Sequence, residues 1–312
     1  MSGLVKKLVR RCLPEQRRLA VTDMARVTKR VDELERRVQR LLTENLRTAF
    51  AEVGAPVAVG EAPHSELNRH ESKVYSQNNE DGVLMWLFTA VGATDRRFIE
   101  FGIGTGEECN TTNLALTFGW SGLQMDCNPW GVGYARHFFR KMLGPKENRV
   151  TVTQQTVTPE NVNDVFARHG FKGEIDLLSI DIDSNDYHVW KAIEVVRPRV
   201  VVCEYNATFG PELPATMRYR EGFDRWAAHP HGWFFGAGLG ALTHLAHEKG
   251  YILAGCESTG VNAFFVRRDV AEGIIEEVEP ARAWYPNRGR IRVMTQDEQF
   301  DSIRGMDYEL VA

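Results

Sequence analysis

The sequence predicts a doubly wound α/β domain, with a seven-stranded and mostly parallel sheet between layers of helix, carrying a helical N-terminal extension. Three observations predict it. Apolar runs of strand length alternate with helical stretches from residue 98 onward, one of those runs turns through closely spaced glycines, and charge is divided along the chain. Residues 1–50 hold 13 Lys/Arg against 6 Asp/Glu; the whole 312-residue chain has a formal net charge of −4, so the remainder stands at −11. The two parts are different objects.

The runs at 98–101, 123–126, 150–153, 176–180 and 200–203 read as five strands, separated by helical stretches such as 161–169 and 187–196. Runs at 251–254 and 262–266 supply a terminal pair. In open α/β sheets the ligand sits at the carboxyl ends of the strands, which is where the acids of this sequence fall.

Ahead of this body, Met24, Val27, Val31, Leu34, Val38 and Leu41 follow alternating steps of three and four, with Asn45 on the next position of the seam. Such a segment is either a short coiled coil or an amphipathic helix lying on the main domain. Association fits it better than catalysis, and it implies a homo-oligomer formed through the N-terminal helix. Within residues 1–20, Leu4, Val5, Leu8 and Val9 alternate with Lys6, Lys7, Arg10 and Arg11, a pattern of either a weak membrane-surface contact or a solvated tail. Gly54, Pro56, Gly60 and Pro63 mark a linker. The expected domains are a basic helix or coiled coil over 1–50, a linker over 51–70 and a catalytic body over 71–312.

A hydrophobic content of 43% suffices for one large core. The five cysteines are odd in number and widely spaced, which predicts reduced thiols and a cytoplasmic protein, peripheral at the inner face of the membrane if the basic segment docks there. No apolar run approaches the roughly 20 residues that span a bilayer. The acidic body argues against a nucleic-acid partner, since a phosphate backbone calls for a basic face.

The most informative stretch is 98–110, FIEFGIGTGEECN. A buried strand ends at Glu100 and passes into Gly102, Gly104 and Gly106, which allow a sharp turn and close backbone approach to a ligand. The G-x-G-x-G spacing is not the G-x-G-x-x-G that cradles a pyrophosphate, so it favours a ligand without phosphates, such as S-adenosylmethionine. The next strand ends in Asp126, placed to accept hydrogen bonds from the ribose hydroxyls of an adenosine. A dinucleotide site wants such an acid too.

Ser76-Gln77 with Glu80-Asp81-Gly82, the glycine turn, Asn110-Thr111, Gly119-Trp120 and Gly122 resemble the opening half of the class I S-adenosylmethionine-dependent methyltransferases of the FkbM-like kind. The resemblance covers residues 75–269. It implies a Rossmann-like sheet of seven strands closed by an antiparallel one, and a donor pocket formed by Gln77, Asp81, Glu100, Gly102, Gly104, Gly106, Asn110, Thr111, Asp126 and Asn128. Where the family has Glu-Pro after the second strand, this chain has Asp126-Cys127-Asn128.

The fourth strand ends with Asp181, Asp183 and Asp186, and the fifth with Glu204 and Asn206. Neighbouring strand ends converge, so Asp181, Asp183, Glu204 and Asn206 are expected to hold a hard cation such as Mg²⁺. Asp186 or Asn185 also suits the cap of the following helix. The pattern is similar to the metal-dependent sugar O-methyltransferases of the macrocin type, from which it departs by placing Tyr205 between Glu204 and Asn206. Asp181, Asp186 and His188 are the candidate bases, with His229 and His231 as further histidines. The long stretch 207–236, with Arg218, Arg220, Arg225, Trp226 and Trp233, reads as a lid or acceptor loop suited to a glycan. The function expected is Mg²⁺-assisted O-methylation of a saccharide or glycosylated small molecule. A non-catalytic donor-binding scaffold and an NAD-dependent α/β oxidoreductase are the alternatives.

Overall fold

A computed structural model describes residues 63–311 of the chain. The expectations for residues 1–50, including the seam and the basic segment, lie outside the described residues.

Helix α1 (Glu80–Val91) leads into β1 (Arg97–Phe101), followed by α2 (Thr112–Leu116), β2 (Ser121–Asp126), α3 (Pro129–Leu143), β3 (Val150–Gln154), α4 (Val162–Arg168), β4 (Gly173–Ile180), α5 (Asp186–Ala192) and β5 (Val196–Glu204). After β5 come a short strand β6 (Ala215–Met217), α6 (Arg225–Ala228), α7 (Leu239–Glu248), β7 (Tyr251–Cys256) and β8 (Asn262–Arg267). The segment beyond them holds α8 (Arg268–Ala271), α9 (Pro280–Ala283), α10 (Gln296–Ile303) and β9 (Tyr308–Leu310). Seven strands form one sheet in the order β3-β2-β1-β4-β5-β8-β7, with β8 antiparallel to both neighbours and the other pairings parallel. This is the expected fold.

The central strands are mostly apolar because the sheet is covered on both faces. Phe101, Phe166, Trp190 and Phe265 fill one face, and Leu84, Leu87, Phe98 and Phe264 the other. Each such side chain contributes about 1.5–3 kcal/mol on burial. The order reverses direction between β1 and β4, and in such sheets the crevice for a ligand lies outside the carboxyl ends of the strands at that point.

Two boundaries differ from expectation. The helix expected over 187–196 ends at Ala192, because Ile193 is already extended at φ −69° and ψ 119°. Branched Ile193, Val195 and Val196, with Pro198, suit strand better than helix, and β5 begins accordingly at Val196. The expected linker over 51–70 also gives way before residue 71. Leu67 is fully buried, and Asn68 Nδ2 donates to the Cys256 carbonyl at 2.8 Å and to Glu71 Oε1 at 2.7 Å. Residues 65–70 therefore belong to the body. Cys109, Cys127, Cys203 and Cys256 are free thiols. Among the described residues no helix is long and apolar enough to cross a membrane.

Candidate active site

The carboxyl ends of β1, β2, β4 and β5 surround a cavity of about 920 Å³. At one end lies the glycine turn. Gly102 has φ +83°, and a Cβ there would overlap the Asp181 carbonyl, so only glycine lets the ends of β1 and β4 meet. Gly104 (φ +54°) faces open space, and its N–H donates to Asp126 Oδ2 at 2.8 Å. The other oxygen of Asp126 accepts from Asn128 N at 2.8 Å. Turn and acid are thus locked together. Glu100, buried beneath them, accepts from Asn110 N at 2.9 Å, Thr111 N at 3.1 Å, Ser179 Oγ at 3.2 Å and the Thr111 hydroxyl. Burial raises its pKa, and the bonds from Thr111, Asn110 and Ser179 oppose that rise.

Among the residues expected to hold the donor, Gln77, Glu100, Gly102, Gly104, Asn110 and Asp126 line the cavity. The other four support it from outside. Asp81 Oδ2 gathers the amides of Val74, Tyr75 and Ser76 at 2.6–2.8 Å, which turns the chain and delivers Gln77. Gly106 lets the turn pack on Ala135 and Phe139 of α3. Thr111 is fully buried and bonded to Glu100, and its hydroxyl accepts from Gln124 Nε2 at 2.9 Å. Asn128 caps α3, accepting from Trp130 N at 3.0 Å.

At the other end Asp181, Asp183 and Glu204 converge, with one oxygen of each lying within 4.8 Å of the others. Glu204 is 8% exposed, and its Oε2 is buried without a hydrogen-bond partner. Burial, then the charge of Asp186, pushes Asp181 up to about 7. Burial, then the charges of Asp181 and Asp186, holds Glu204 well above the usual carboxylate range. Two ionised carboxylates this close repel, so the pair keeps a proton unless a cation replaces it.

Three expected residues stand elsewhere. Asn206 Oδ1 accepts from Arg290 Nη1 at 2.8 Å and Thr208 N at 3.1 Å, while its amide donates to the Trp233 and Phe235 carbonyls, so its oxygen is not available to a cation. Asp186 accepts from Ile182 N at 2.8 Å and Ser184 N at 3.0 Å and shapes the turn after β4. His188 is bonded through Nε2 to the Met217 carbonyl at 2.8 Å and does not line the cavity. Of the candidate bases, Asp181 alone faces the cavity. His229 is buried and accepts from the amides of His231 and Trp233, and neither His229 nor His231 reaches the cavity lining.

The loop 207–236 supplies Tyr219, Glu221, Gly222, Phe223 and Arg225 to the wall. Arg218 instead pairs with Asp307 and Glu309. Residues 155–159 after β3, together with Asn287 and Arg290, also line the cavity and were not expected. Arg290 carries no motif, and it reaches the site only through the fold.

This fold, with an acid-braced glycine turn and a second acid at the end of β2, defines an S-adenosylmethionine-dependent methyltransferase. Residues 60–226, more than half of the chain, match the methyltransferase FkbM domain family, and the chain belongs to it. A comparison with curated proteins gives no match. Solved structures similar to the chain include an O-methyltransferase from Bacillus cereus in complex with SAH, at 16% identity over 72% of this chain and 88% of that one, with a TM-score of 0.40. Magnesium protoporphyrin IX methyltransferase from Synechocystis PCC 6803 is similar at 14% identity over 60% and 77%, with a TM-score of 0.39. A putative O-methyltransferase from Klebsiella pneumoniae is similar at 14% over 72% and 89%, with a TM-score of 0.36.

Proposed function

We propose that the protein is an O-methyltransferase acting on a hydroxyl of a saccharide or glycosylated small molecule, with Mg²⁺ at the acceptor end of the cavity. One observation carries this reading: Asp181, Asp183 and Glu204 meet in the same cavity as the glycine turn and Asp126, and they leave a buried Glu204 oxygen without a partner. Oxygen donors of this kind suit a hard cation, and the similarity to macrocin-type enzymes rests on them. S-adenosylmethionine, when bound, supplies an electrophilic methyl group. Asp126 and Gln77 hold it in this reading, with the Gly102–Gly104 backbone beside it.

A sugar hydroxyl is a poor nucleophile until it loses its proton. A cation held by the three carboxylates would lower the hydroxyl pKa, and a carboxylate with two oxygens can both ligate and accept a proton. Asp181 fits that double role. Tyr219 and Phe223 give the wall the aromatic surface that sugar CH faces pack on, and Glu221 and Arg225 give it hydrogen-bonding groups. The basic helix over 1–50 is read as the oligomerising element of the catalytic body.

Screening hydroxylated acceptors with labelled donor tests the reading. Methyl transfer to a saccharide, abolished by EDTA and restored by Mg²⁺, is the expected result. Full turnover in excess EDTA would reject the cation and leave Asp181 as a lone base.

A further inference from the structure

Arg225 opens α6 at the rim of the cavity and bonds to Asp183 through Nη1. Its Nε donates to the Gly232 carbonyl at 2.8 Å, and its guanidinium carbon lies 4.0 Å from the centre of the Phe235 ring. The Arg225 side chain is 14% exposed, so this group is held firmly between the loop and the carboxylate. Asp183 is presented to it by a tight turn. Asp186 gathers the amides of Ile182 and Ser184, and Asp183 takes φ +56°, a conformation that Asp tolerates better than most residues.

A guanidinium and a divalent cation both seek the lone pairs of a carboxylate, and two positive groups on one carboxylate repel each other. Asp183 belongs both to the Arg225 pair and to the group of three carboxylates. The unpartnered Oε2 of Glu204 points independently to a cation at that group. We propose that Arg225 is a positioning residue that competes with the divalent cation for Asp183, so that cation binding releases Arg225 and loosens the segment it anchors, residues 224–234. The proposal rests on the magnesium reading above. Arg290, anchored to Asn206 and Thr208, is a second positive charge that acts on Glu204 and on Arg225.

The test is titration of Mn²⁺ into the full chain, read by calorimetry and by loss of the free-ion EPR signal, for wild type, Arg225→Gln and Arg225→Lys. S-adenosylhomocysteine binding checks that each variant is folded. Arg225→Gln should bind Mn²⁺ about tenfold tighter than wild type, since a charge-assisted bond no longer competes. Arg225→Lys should gain less than Arg225→Gln, because its ammonium keeps a positive charge beside Asp183 even though it cannot bridge Gly232 and Asp183 as the guanidinium fork does. Amide exchange over 224–234 should quicken on Mn²⁺ addition in wild type and stay unchanged in Arg225→Gln. A purely structural Arg225 would give weaker binding when replaced. Equal or weaker Mn²⁺ binding by both variants, beside a wild type that binds, overturns the proposal and leaves the magnesium reading standing. No Mn²⁺ binding by any of the three overturns both.

Discussion

At the Asp126 end of the cavity the carboxylates are already satisfied by backbone amides, whereas at the Asp181 end they face one another. Asp126 spans Gly104 and Asn128, and Glu100 holds the 110–111 turn. Asp181 and Glu204 instead crowd together, and Asp183 leans on an arginine from a distant loop. The first end is a frame whose geometry is held by the protein's own hydrogen bonds. The second carries charge that only a proton, a guanidinium or a cation can balance, so its state depends on what is bound. Preorganised binding and tunable chemistry are thereby placed in separate halves of one cavity.

Gly102 sits where the two halves join, and it gives the largest expected effect. Gly102→Ala drives a methyl group into the Asp181 carbonyl at a positive φ, and should cost about 3–5 kcal/mol of stability in urea denaturation. Gly104→Ala has open space around it and should cost only the left-handed conformation, about 1–2 kcal/mol. Equal losses at the two positions would mean that the strand ends are not in contact.

The acceptor end should reveal itself through pH. Asp181 has a folded pKa near 7, above the unfolded value of about 3.9. As pH rises from about 4 to 7, the unfolded chain ionises this group while the folded one keeps its proton, so metal-free stability falls over that window. Asp181→Asn should therefore unfold at higher urea than wild type at pH 8, by on the order of 2 kcal/mol, with the gain vanishing near pH 4. Mg²⁺ should remove the difference from the wild-type side. A pH-independent effect of Asp181→Asn would show that the carboxylate is not strained in the metal-free protein.

The same division governs what could be read from the sequence. The seven strands were legible because each is dominated by apolar residues, and the Asp126 end because most of its parts lie within one local stretch, 98–128. What failed there was the distinction between residues that touch the cavity and those that brace it. Asp81 and Asn128 carry the right chemistry but spend it on backbone amides, and Thr111 spends its hydroxyl on Glu100 and Gln124, facts visible only once the turns are folded. At the Asp181 end the three carboxylates were expected, yet Asn206 was not seen to be taken by Arg290, a residue 84 positions away. Arg290 and Asn287 could not be found at all, because nothing local marks a residue that the fold returns to the site from beyond the sheet. Leu67 was assigned to a linker for a related reason: one apolar residue gives no period, and its burial against β7 is a tertiary fact.

The separation of the two ends is tested most directly by calorimetric titration of S-adenosylhomocysteine into wild type, Asp126→Ala and Glu204→Gln. Asp126→Ala should weaken binding by about 1–3 kcal/mol, through loss of the acceptor and of its hold on Gly104. Glu204→Gln, and wild type in excess EDTA, should stay within about 0.5 kcal/mol of wild type, as expected of independent sites. Unchanged affinity in Asp126→Ala, or an equal loss in Glu204→Gln, would contradict a donor end that is built and works apart from the acidic one.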